Sequence, residues 1–221
     1  MISRISLKDV NGISLILGAL FSFVPFVIQL FLYDRPIDGE HIFTFFSNQI
    51  ILNGRISLFN ALLSIIGATF TAYGLFGLFN DFKKDKPETL MGLGLFLFLF
   101  ATLGFIISWS QDFIILWGDA NFAPNQMMVE LSLIFAFGIH YWAGLAVFSY
   151  TLSQHQFLNT NFLYAVTIIS TINVFLIIYT LFTLDPYNIS SLNLLYLGFM
   201  IGNIIFYIFC LLAAFKILPK K

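Results

Sequence analysis

The chain has 221 residues, of which 59% are hydrophobic, 19% aromatic and only 10% charged, with a net charge of −1 and a mean hydropathy of +0.92. Soluble domains are about 45–50% apolar and about 25% charged, so a water-soluble fold of this size could not cover its surface. A nucleic-acid binder is excluded too, because it needs a basic face.

The N-terminal segment carries Arg4 and Lys8, then an apolar run from Ile13 to Leu32. Pro25 lies inside that run and no small-residue cleavage site follows, so it reads as a retained first span rather than a signal peptide. Five more windows, 59–79, 90–110, 131–151, 162–184 and 192–217, reach the length of about 20 residues that a helix needs to cross the hydrocarbon core. None holds Asp, Glu or Arg, and Lys216 stands at the end of the last window, where it can snorkel. The expectation is an all-α, polytopic bundle of six transmembrane helices, a single integral membrane domain over residues 1–221.

Two connections are long. The first opens with Asp34-Arg35-Pro36-Ile37-Asp38-Gly39, a turn composition. It continues with Ile42, Phe45, Phe46 and Ile50 at helical spacing. That predicts a short interfacial helix over His41–Leu52, with Phe45 and Phe46 turned to the bilayer and Thr44 and Gln49 to water. The second runs from Gln111 to Glu130, with Trp109, Trp117 and Phe122 suited to the headgroup level. Basic residues divide unevenly. Arg4, Lys8, Lys83, Lys84, Lys86, Lys216, Lys220 and Lys221 fall on one side of a six-span layout, and only Arg35 and Arg55 on the other. Eight against two places both termini in the cytoplasm of a cell (plasma) membrane.

Helices associate in lipid through small and hydrogen-bonding residues. Such stripes occur at Asn60-Ser64-Gly67-Thr71-Gly74, at Ser132-Ala136-His140-Ala143-Gly144, and at Gly198-x-x-x-Gly202 followed by Asn203. On the fourth span, the small face with His140 is expected inside and Leu131, Phe135, Trp142 and Leu145 toward lipid. His140, Asn173 and Asn203 fall near the bilayer centre at ~1.5 Å per residue. Gln29, Asn60 and Ser108 come nearer the outer surface. Unpaired polar groups in lipid cost several kcal/mol, so these six side chains form a candidate polar pocket, or else hydrogen-bond glue between helices.

No His-Glu-x-x-His, Gly-x-Ser-x-Gly or phosphate loop is present. The lone Cys210 makes neither a disulfide nor a thiolate cluster. The reading is therefore no enzyme, no cofactor and no metal site. The partners expected are the lipid bilayer and other membrane subunits, without nucleic acid. A structural, accessory or lipid- and small-apolar-ligand-binding module comes first, and a transporter or channel for a small neutral solute second. The chain resembles a family of six-span prokaryotic membrane proteins of unknown function. The likeness rests on Asn53-Gly54-Arg55-Ile56-Ser57-Leu58 and on Phe137-Gly138-Ile139-His140 followed by Gly144 and Ser149. It implies a six-span fold, and neither a reaction nor a ligand.

Overall fold

The computed structural model describes residues 6–32, 39–83 and 88–219. Six long helices run through it: α1 (Leu7–Leu32), α3 (Arg55–Lys83), α4 (Thr89–Trp109), α6 (Ala123–Gln154), α7 (Thr160–Thr183) and α8 (Asn193–Ile217). Two short helices, α2 (Ile42–Asn53) and α5 (Gln111–Trp117), lie in the two long connections. All six long helices are apolar and long enough to cross a membrane. In hydrocarbon the backbone must satisfy its own hydrogen bonds, and a helix does so within one segment. The helices follow the six expected windows in order but overrun them. Polar flanks such as Asn125-Gln126 and Arg55 continue the helical ladder beyond the apolar stretch. The turn at 34–38 and the basic residues Arg4, Lys84, Lys86, Lys220 and Lys221 lie outside the described residues.

Each long helix packs against two others: α1 on α3, α3 on α4, α4 on α6, α6 on α7, α7 on α8, and α8 back on α1. The bundle is thus a closed ring in chain order. Small residues set the close approaches. A Cβ at Gly67 would strike the Ser22 backbone, and one at Gly18 the Thr71 backbone, so α1 and α3 touch main chain to main chain. Tyr207 closes the ring by donating its hydroxyl to the Ser22 carbonyl at 3.2 Å.

The two ends of the ring differ. Toward the chain termini, Leu15, Leu75, Met91, Phe148 and Phe209 are fully buried and fill the interior with apolar side chains. His155 and Glu88 pair at 2.9 Å across that end. At the opposite end, α5 continues α4 past Ser110, and the pair runs antiparallel to the long α6.

The short helix α2 stands where the sequence predicts it, but it does not lie with its phenylalanines in the bilayer. Its backbone is tied at Gly39 and Ile42 to the carbonyls of Tyr187 and Pro186, in the turn between α7 and α8. From there it packs on α6, α5 and α3. Phe45 is buried against protein and Gln49 is only 7% exposed, whereas Asn48 and Leu52 face out. The bundle end offers α2 more apolar surface than the flat interface of a bilayer would. Gly54, at φ +46°, makes the turn into α3.

Candidate functional site

In the half of the ring away from the termini, the helices part around a cavity of about 220 Å³. Helix α1 lines it with Ser22, Phe26 and Gln29, and α3 with Ser64, Ala68 and Thr71. Across from these stand Thr102, Phe105 and Trp109 of α4 and Tyr141 and Trp142 of α6. Helix α8 contributes Phe199, Asn203 and Phe206. Pro25 also faces the space; as proline it cannot donate to the Phe21 carbonyl, so one backbone acceptor of α1 is released at this depth. The wall is predominantly aromatic, and Phe98, Tyr141 and Phe206 pack ring against ring at its base, with centroids 4.7–5.8 Å apart. Among the described residues, no Asp, Glu, Lys, Arg or His lines the cavity.

Several wall polar groups are already engaged. Thr71 and Thr102 donate to carbonyls one turn back on their own helices, at 2.9 and 2.8 Å. The amides of Asn203 and Gln29 make no hydrogen bond among the described residues, which leaves them to whatever enters the cavity.

Of the six side chains singled out from sequence, the cavity brings together only Gln29 and Asn203. His140 stands apart. Its Nδ1–H donates to the Ala136 carbonyl of its own helix at 2.9 Å, and its ring rests edge-on against Phe100 and beside Phe137. The expected orientation of α6 is corrected accordingly. Trp142 and Leu145 are 3% and 1% exposed, and Phe135 is buried with them, while Ala136 is exposed. Because α6 is packed on α4, α7, α2 and α5, its large apolar residues fill the interior instead of meeting lipid. Asn173 is fully buried with both amide atoms unpartnered, lodged in the notch that Gly198 and Gly202 leave on α8. Asn60 is buried on α3, also without a partner. Ser108 donates its hydroxyl to the Glu130 carbonyl at 3.0 Å and so joins α4 to α6.

That bond leads to a pair the sequence reading assigned to a loop. Glu130 lies two turns inside α6, and Asp112 lies on α5. They are 5% and 7% exposed, and their carboxyl groups lie against each other. Asp112 Oδ1 and Glu130 Oε2 are buried without a partner. A signal was available: Pro124 suits the first turn of a helix, and Ala123, Met127, Glu130 and Ile134 recur at helical spacing around and beyond it.

The ring of six apolar helices makes this a multi-pass integral membrane protein. Comparison with protein-family models, with curated proteins and with solved structures gives no match.

Proposed function

We propose that the protein binds a small, uncharged, largely apolar ligand within the membrane, and serves there as an accessory or structural module rather than an enzyme. The observation that carries this reading is the cavity: aromatic walls, no charged side chain, and two free amides, Asn203 and Gln29. Ligand sites in proteins have this makeup, apolar surfaces with a few polar groups that fix orientation. We place the protein in the cell membrane with both termini cytoplasmic, on the strength of eight basic residues against two. The cavity then opens toward the outer half of the bilayer. The motif likeness to six-span prokaryotic membrane proteins supports the same placement.

A second reading, a carrier for a small neutral solute, draws on the asymmetry of the ring. The space is open in one half and filled by Leu15, Leu75 and Phe148 in the other, as one state of an alternating-access cycle requires.

The test is purification in lipid nanodiscs, followed by mass spectrometry of extracted small molecules, beside the cavity-filling variant Ala68→Phe. A neutral compound retained by the native protein and absent from a folded Ala68→Phe supports binding. The same extract from both proteins overturns it. Uptake of that compound into proteoliposomes separates the carrier from the module.

A further inference from the structure

We infer that the Asp112–Glu130 pair is a proton-binding site that holds the rim of the cavity closed between α4 and α6. The inference rests on the cavity reading above.

Two ionised carboxylates buried against each other repel where water is scarce, so the pair keeps a proton while it stays buried. Each residue buries one oxygen that makes no hydrogen bond among the described residues, Asp112 Oδ1 and Glu130 Oε2. A buried ionisable group without a countercharge is expensive to maintain and marks a candidate functional site. Among the described residues, what bears on each carboxyl is the loss of water and the other carboxyl. Helices α2 and α4 contain no ionisable side chain. Arg55 at the start of α3 and Asp119 after α5 are exposed, and His41 meets the Tyr187 ring edge-on. The nearest titratable groups further along α6, His140 and Tyr141, are about three turns deeper.

The placement gives the pair its leverage. Trp109 stands just across the Ser110 turn from Asp112, and Ile134 lies one turn after Glu130 on the same face of α6; both line the cavity. The Ser108 hydroxyl grips the Glu130 carbonyl at the same level. Losing the shared proton puts two like charges face to face where water is scarce, and their repulsion spreads α4 from α6 at Trp109 and Ile134. The closed rim binds the proton more tightly than the open one, so low pH favours closure and rising pH favours opening.

The experiment uses the full chain in nanodiscs, with Ser64→Cys as a reporter inside the cavity and Cys210→Ala to remove the native thiol. N-ethylmaleimide labelling is timed from pH 5 to pH 9, with the native pair and with Asp112→Asn plus Glu130→Gln. The ratio of the two rates at each pH cancels the titration of the thiol itself. It should stay near one at acidic pH and then climb by up to about tenfold per pH unit as the single proton leaves. A flat ratio with measurable labelling overturns the closure and leaves the cavity standing. No labelling of either protein at any pH overturns the cavity reading, and the closure with it. If the double variant does not fold, Glu130→Gln alone replaces it, because with a single carboxyl left no pair of like charges can form to open the rim.

Discussion

Gly94 of α4 and Gly144 of α6 meet backbone to backbone: a Cβ on Gly94 would come within 2.9 Å of the Gly144 carbonyl oxygen, and one on Gly144 within 2.7 Å of the Gly94 carbonyl oxygen. No side chain intervenes at this crossing, so α4 and α6 gain dispersion contact along their length. Gly144→Ala must push main chain against main chain, and the expected loss is about 1–3 kcal/mol, the range for overpacking. Gly92 is the control. The nearest atom to its Cβ position is the Phe79 ring at 3.5 Å, an ordinary contact. Gly92→Ala should leave stability unchanged or raise it by up to about 1 kcal/mol through helix propensity. Thermal unfolding of both variants in one detergent checks the contrast.

Asn173 poses the opposite problem, a polar side chain with nothing to bond. Its amide fills the notch between Gly198 and Gly202 and finds no partner among the described residues. Replacing an unsatisfied amide with an apolar group of similar volume relieves a desolvation cost. Asn173→Leu should therefore match or exceed the native stability. A loss on the order of 0.6–1.7 kcal/mol, the range for interhelical hydrogen bonds in membranes, would show that the amide is bonded.

The sequence carries the six spans plainly, because a helix that crosses lipid must be apolar over its length and each loop must be polar. It also places α2, from the spacing of Ile42, Phe45 and Ile50. It does not show which way a helix faces once both faces are covered. On α6, Ser132, Ala136, His140, Ala143 and Gly144 suggest a packing stripe. Of these Gly144 does meet α4, but Gly138, outside the stripe, meets α7, and Trp142 and Leu145 fill the interior. In lipid an outward face and an inward face are both apolar, so composition alone does not separate them. Glu130 was hidden for another reason. Its charge placed it in the polar connection, while the structure carries the helix two turns further out and buries it against Asp112.

His140 bonds only to its own helix and touches Phe100 and Phe137 outside the cavity. His140→Leu should keep stability within about 0.5 kcal/mol, as for positions without buried partners. Retention of the cavity ligand should be unchanged as well. Unfolding together with the nanodisc extraction tests both. Loss of the ligand from a folded His140→Leu would return this histidine to the site.

The hydroxyl of Tyr207 makes the one side-chain hydrogen bond from α8 to α1 among the described residues, at 3.2 Å from the Ser22 carbonyl. Tyr207→Phe removes it and keeps the ring packing with Phe23, Phe26 and Phe206. A loss of about 0.6 kcal/mol is expected, the average for such bonds in membranes. Because Ser22 and Tyr207 both line the cavity, the same change should speed N-ethylmaleimide labelling of Ser64→Cys. Unaltered labelling with unaltered stability would mean that packing alone closes the ring.

Docking of α2 on the bundle end sets its accessibility residue by residue. Ser47 and Gln49 are buried against α6 and its neighbours, whereas Asn48, between them, faces out. On a helix resting freely on the bilayer, the polar residues of this run would all reach water. On a docked helix, adjacent positions differ sharply, because about 100° of rotation separates them at 3.6 residues per turn. In a Cys210→Ala background, Asn48→Cys should label rapidly from outside, and Ser47→Cys and Gln49→Cys slowly. The order should hold in detergent and in nanodiscs, since protein rather than lipid covers the protected pair. Equal rates at all three positions in detergent would mean that α2 leaves the bundle, and that the backbone bonds from Gly39 and Ile42 to the α7–α8 turn do not hold it.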